Sequence, residues 1–151
     1  MRNANGVGGR VGWVTLAAAL LLTACEKDKS ISEAEHLERA KTFQAQGKHQ
    51  SFVIERKNLL QKNPNHAEGH FLLGENYANL GYGLDAEKEL LRAKELGIDP
   101  ERVKVPLGKS LLDQKEYKRV FSEIRPAIAS STITVAGIKA LYAQAEIGLK
   151  Q

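Results

Sequence analysis

The amino-acid sequence repeats itself about every 34 residues, and that period limits the fold more than any single motif does. Ala40, Gly74 and Gly108 are separated by one full period each, as are Gly47, Gly81 and Lys115, and Phe43, Tyr77 and Leu111 form a third column. A weaker fourth copy places Leu141 and Gly148 one step further on, a single position short of the full period. Periods of roughly 20 to 50 residues belong to chains that stack one supersecondary unit, because a single unit cannot bury its own apolar face. The unit here is helical. In residues 67–100, Phe71, Leu72, Leu73, Tyr77 and Leu80 recur at helical spacing, as do Ala86, Leu90, Ala93 and Leu96, so two amphipathic helices follow each other. Gly81-Tyr82-Gly83 turns the chain between them. Gly74 and Ala86 are small where two antiparallel helices about 8–10 Å apart bring one backbone against the other.

Cap residues mark the boundaries. Ser32 with Glu35 reads as a capping box opening the first unit, and Asn65 with Glu68 reads as the cap of a helix starting near His66. Asp99-Pro100 supplies an N-cap followed by proline at the first helical position, and Gly97 suits a left-handed stop after Leu96. The units are therefore 33–66, 67–100, 101–134 and a partial 135–151. In the first, Phe52 and Arg56 replace the expected small and large apolar residues, so that hairpin must pack differently. In the third, Leu107, Gly108, Leu111, Tyr117, Val120 and Ile124 fit. Pro126 cuts its second helix short, since a mid-helix proline costs about 3 kcal/mol. Ser130-Ser131-Thr132 reads as loop, and residues 135–148 carry Ile138, Leu141, Tyr142 and Ala145 as one last helix. That helix keeps apolar residues where a terminal repeat ordinarily presents a polar capping face.

The amino terminus is an address. Arg2 and Arg10 precede an apolar run over residues 11–22, then Leu22-Thr23-Ala24-Cys25 and the polar stretch Glu26-Lys27-Asp28-Lys29-Ser30. A charged start, a short apolar run and small residues before a cleavage point form a secretory signal, too short for the roughly 20 residues of a spanning helix. Residues 1–24 are read as the signal peptide and 25–32 as a polar tether. The chain holds one cysteine, so neither an intramolecular disulfide nor a Cys-rich zinc site is available.

Residues 67–100 resemble a tetratricopeptide repeat (TPR), whose pattern is met by Leu73, Gly74, Tyr77, Gly81, Ala86, Leu90, Ala93 and, late, Pro100. His70 stands where that family has Trp, and Ile98 where it has Pro. The resemblance implies an all-α TPR-type solenoid of three hairpins plus one extra C-terminal helix. It also implies a concave groove lined by the first helix of each unit, which the alignment assigns to Lys41, Gln44, Glu75, Asn79, Lys109 and Asp113. Packing of the repeats falls to Gly74, Tyr77, Gly81, Ala86, Ala93, Pro100 and Gly108.

The Leu22-Thr23-Ala24-Cys25 tetrad resembles a bacterial lipobox. That implies cleavage between Ala24 and Cys25, acylation of Cys25, and anchoring by several chains at about 0.8 kcal/mol per buried methylene. Glu26 in place of aspartate points to the outer membrane within that class. The phrasing of residues 53–64, 72–74 and 86–97 is similar to the amino-terminal part of the PEP-CTERM/exosortase-system TPR-repeat lipoproteins. This implies a periplasm-facing, membrane-anchored adaptor with a protein or peptide partner, in envelope protein sorting or exopolysaccharide export. An outer-membrane or pilus-assembly TPR lipoprotein is the alternative within the same fold.

Little in the chain reads as catalysis. The formal net charge of +4 is spread along the sequence, without the clustered basic stripe of a nucleic-acid binder. His66 and His70 lie four apart, but Ala67 occupies the glutamate position of an HExxH motif and no third ligand is evident, while His36 and His49 read as isolated. The Gly6, Gly8, Gly9 and Gly12 cluster follows no strand and falls in the signal. The sequence is read as a non-enzyme without metal, cofactor or small-molecule substrate; a small His-dependent metal protein is the weak alternative.

Overall fold

Helix ends are written into the chain as residues that satisfy terminal backbone groups, and they set the architecture. A computed structural model describes residues 31–128 and 130–151; Ala24, Cys25, the rest of the signal and the tether through residue 30 lie outside them. The helices are α1 (Glu33–Ala45), α2 (His49–Lys62), α3 (Ala67–Asn79), α4 (Gly83–Glu95), α5 (Pro100–Asp113), α6 (Tyr117–Glu123) and α7 (Thr132–Leu149). Among the described residues all regular structure is helical. Hairpins α1–α2, α3–α4 and α5–α6 are followed by the single helix α7, an all-α solenoid of TPR type.

The repeating column Gly47, Gly81, Lys115 is the stop signal of the first helix of each hairpin. Gly81 has φ 78°, and the Tyr82 amide donates back to the Tyr77 carbonyl at 3.0 Å, the bond pattern of a left-handed C-terminal cap. Lys115 does the same work at φ 60°, with the Glu116 amide on the Leu111 carbonyl at 2.9 Å, although a side chain there is strained. At the other ends, Ser32 accepts from the Glu35 amide at 3.2 Å and Asp99 from the Glu101 amide at 2.9 Å.

Two boundaries differ from the sequence reading. α3 is capped by His66, whose Nδ1 accepts from the Gly69 amide at 2.9 Å, and not by Asn65. Asn65 instead receives a hydrogen bond from Arg92 of α4 at 2.8 Å. α7 begins at Thr132 because Ser131 caps it, accepting from the Thr134 amide at 3.1 Å, so the loop ends one residue sooner and the helix starts three residues earlier. Pro106 is buried within α5, which runs unbroken through it, whereas α6 stops at Glu123, ahead of Pro126.

One core runs from α3 to α7 through Phe71, Leu73, Tyr77, Leu90, Leu107, Leu111, Ile124, Ile138 and Leu141. Gly74 lets α4 close onto α3: a Cβ added there would lie 2.7 Å from Leu90 Cγ and 3.0 Å from the Leu90 amide nitrogen. Gly108 admits Leu141 of α7 in the same way. Ala86 and Ala93 are fully buried in the matching positions of α4. The first hairpin is built differently. Phe52 and Arg56, in the register of Ala86 and Leu90, are both fully buried, and α1 packs on α2 without reaching α3.

Candidate functional site

The first helices α3, α5 and α7 lie side by side and make a shallow concave face. Its hollow, about 380 Å³, has an apolar floor of Ala78, Val105 and Leu141 and a polar rim of Asn79, Lys109, Asp113 and Gln144. The rim follows from helical spacing. Lys109 and Asp113 are one turn apart on α5, and Asn79 ends α3 opposite them. Lys109 Nζ donates to Asn79 Oδ1 at 2.9 Å, which ties the two helices and leaves the Lys109 charge at the mouth of the hollow. Partial burial pushes the Asp113 carboxyl above the usual carboxylate range, and Lys109 offsets this only in part. A carboxylate and an ammonium one turn apart, over small apolar residues, can hold an extended backbone or a helix that brings both donors and acceptors.

Of the six groove positions named from the sequence, Asn79, Lys109 and Asp113 are thus brought together. Glu75 is half-buried on α3, near enough to Arg102 to strengthen that guanidinium's charge. Lys41 and Gln44 are exposed on α1, remote from this hollow because α1 does not reach α3, and Lys41 pairs with Glu38 at 2.7 Å. Gln144, which completes the rim from α7, is not among the six. The sequence signal for it is its place three residues after Leu141 on the same helix.

Polar contacts lace successive repeats together. Arg102 makes a two-toothed pair with Glu68, at 2.7 and 2.9 Å, while its guanidinium lies 4.2 Å from the centre of the Phe71 ring. That pair holds the Glu68 carboxyl below the usual carboxylate range. Arg119 donates to Glu87 at 2.6 Å and Gln114 donates to the same carboxylate at 2.7 Å, which lowers Glu87 likewise. All these bonds cross from α3 or α4 into the third hairpin.

The histidines are structural connectors, and the reading of His36 and His49 as isolated is corrected. His36 Nδ1 lies 2.6 Å from Glu55 Oε2, and one repeat later His70 Nδ1 lies 2.6 Å from Glu89 Oε2. His70 Nε2 also meets the Pro64 carbonyl at 3.0 Å, so both of its ring nitrogens face acceptors. His49 Nδ1 bonds the Asn76 side-chain amide at 3.1 Å. His66 caps α3, so it and His70 face different partners. No group of three or more His, Cys, Asp or Glu suited to a metal ion occurs among the described residues.

A second hollow, about 420 Å³, opens between α2 and the α3–α4 turn beside Val53, Ile54, Tyr77 and Tyr82. The two tyrosine rings meet edge to face at 6.0 Å. No helix among the described residues is long and apolar enough to cross a membrane.

No protein-family model matches the chain, and no curated protein matches it. Among solved structures, the chain is similar to the TPR2B domain of yeast Sti1, solved as a TPR2B-domain:pHsp70 complex. The TM-score is 0.61 and the identity 18%, over 76% of this chain and 96% of that one. The likeness shows the TPR fold.

Proposed function

We propose that this protein is a TPR-type adaptor that holds a peptide or helix of a protein partner on the face formed by α3, α5 and α7. The observation that carries the reading is the Asn79–Lys109–Asp113–Gln144 rim over an apolar floor, set on the face where the first helices align. The similar TPR2B domain, solved as a pHsp70 complex, supports a protein or peptide as the occupant.

The lipobox-like Leu22-Thr23-Ala24-Cys25 supports a lipid anchor on Cys25, and the location that goes with it is the periplasmic side of the bacterial envelope, at the outer membrane. Envelope protein sorting or exopolysaccharide export is the process proposed, on the phrasing shared with PEP-CTERM/exosortase-system lipoproteins. Two tests address the two halves. Cys25→Ser should move the protein from the membrane fraction to the soluble one, and continued sedimentation with membranes would remove the anchor. Lys109→Glu should abolish partner capture while lowering the melting temperature by no more than a few degrees, because it forfeits only the exposed bond to Asn79 and sets a like charge one turn from Asp113. Undiminished capture would remove the groove.

A further inference from the structure

The last helix carries an unpartnered face with the geometry of a helix–helix seam. α7 buries Ile138, Leu141 and Ala145 against α5 and α6. On its opposite side Ile133, Ala136, Ala140, Ala143 and Ile147 are all exposed, Ile133 at 86% and Ile147 at 60%. Their spacing is three, four, three, four, the a/d pattern by which two helices pack knobs into holes. A surface helix that needed only water on this side would carry charge there, as the outer face of α4 does with Asp85, Lys88, Arg92 and Glu95.

The charges beside the stripe indicate what covers it. Lys139 and Glu146 lie seven residues apart on one flank, both exposed and without an ion-pair partner among the described residues. When two copies of α7 are laid antiparallel with a positions facing d positions, Ala140 meets Ala143 of the second copy at the centre. Ala136 then meets Ile147, a small residue against a large one, and Ile133 lies along the stem of Lys150 of the second copy. Lys139 falls opposite Glu146, twice over by symmetry. The parallel arrangement lacks these pairs: it sets Lys139 beside Gln144 and stacks Lys150 on Lys150. The small central residues let the two backbones approach to the lower end of the usual range of about 8–10 Å between axes.

We infer that the chain forms a two-fold dimer through antiparallel contact of α7 with α7 of a second copy, centred on Ala140 and Ala143 and oriented by the Lys139–Glu146 pairs. The interface is isologous, so it closes and does not propagate. From residue 133 to residue 147 the seam runs about 21 Å along the helix. A single helix pair of that length buries less than the roughly 1,200 Å² of a standard stable interface, so the dimer belongs to the weak, dissociating class.

Sedimentation of the whole chain in mild detergent, over about a thousandfold range of concentration, reads the dimer directly as a concentration-dependent mass. The wild type should pass from monomer to dimer, and Ala143→Glu, an exposed change outside the lining of the α3–α5–α7 hollow that leaves the circular dichroism spectrum intact, should stay monomeric. Lys139→Glu and Glu146→Lys should each raise Kd about tenfold by creating like-charge pairs, and the double charge swap should return it to within about threefold of wild type. A wild type that is monomeric throughout would overturn the inference. So would a dimer indifferent to Ala143→Glu, or single swaps that are not rescued by the double, which would mean a partner of another kind or another face.

Discussion

Arg56 offers the sharpest stability test, because it is a fully buried cation in a column of hydrophobic residues. It occupies the same repeat position as Leu90 and Ile124, and all three are at most 1% exposed. Its Nε and Nη1 have no hydrogen-bond partner, and its guanidinium lies 5.3 Å from the centre of the Phe52 ring. Burial pushes its pKa below the ordinary value, and the nearby Glu68 carboxylate, already held by Arg102, offsets that incompletely. Each buried donor left unsatisfied costs about 1–3 kcal/mol, whereas the contact with Phe52 returns about 0.5–2 kcal/mol. Arg56→Leu removes the orphaned donors, forfeits the ring contact and part of the stem packing, and restores the side chain used in the next repeat. The net expectation is a gain of about 1–2 kcal/mol, which at about 4 °C per kcal/mol raises Tm by roughly 4–8 °C. Thermal melts followed by far-UV circular dichroism, with urea titrations to separate stability from a change in m, measure it. A Tm lowered by Arg56→Leu would refute the reasoning, since it would mean that the guanidinium is fully satisfied where it sits.

Other substitutions probe the repeat register and its lacing. Lys115→Gly relieves a left-handed φ at the third copy of the helix stop and should add about 1 kcal/mol, seen as a higher midpoint in urea; a lower midpoint would count against that cap. Gly74→Leu drives a side chain into Leu90 and should cost about 1–3 kcal/mol, so an unchanged Tm would mean the helix pair is not packed there. The carboxyls of Glu68 and Glu87 are depressed in the folded state by Arg102 and Arg119. A depressed carboxyl stabilises above its unfolded pKa of about 4.3 and loses that contribution as pH falls through the lower folded value. Stability should therefore hold from neutral pH to about pH 5 and decline below about pH 4, with a shallower decline in Glu68→Gln. An equally steep acid limb in that variant would show that the ion pair contributes nothing. Because Glu68 and Arg102 are both partly exposed, each such pair is worth no more than about 1 kcal/mol.

The repeat period is legible because it lies in residue types that the backbone itself demands. Gly81 and Gly47 stop helices, Gly74 and Gly108 admit a neighbour, and Asp99-Pro100 starts one. Harder to read is everything that depends on which surface meets which. The pairs His36–Glu55 and His70–Glu89 sit at the same two positions of successive repeats, 19 residues apart across the hairpin, and comparing polar columns as well as apolar ones exposes them. Pro106 is locally a helix breaker, yet the helix carries through it because Val103, Leu107 and Leu111 are anchored in the core on either side. The groove is half legible. Asn79, Lys109 and Asp113 converge, whereas Lys41, in the register of Lys109, and Gln44, in that of Ala78, sit on a hairpin closed around Phe52 and Arg56, which leaves α1 off α3. Register predicts a position within a repeat, and the stacking of repeats depends on how each hairpin fills its own interior.

Site-specific photo-crosslinking in living cells tests the central claim, that the face made by α3, α5 and α7 holds a protein partner. A photoreactive residue in place of Asn79 or Gln144, both on the rim, should give a discrete adduct with one partner, and Lys109→Glu in the same chain should erase it. The same residue in place of Lys94, exposed on α4, should give none. Equal adducts from both faces, or none from Asn79 and Gln144, would contradict the account.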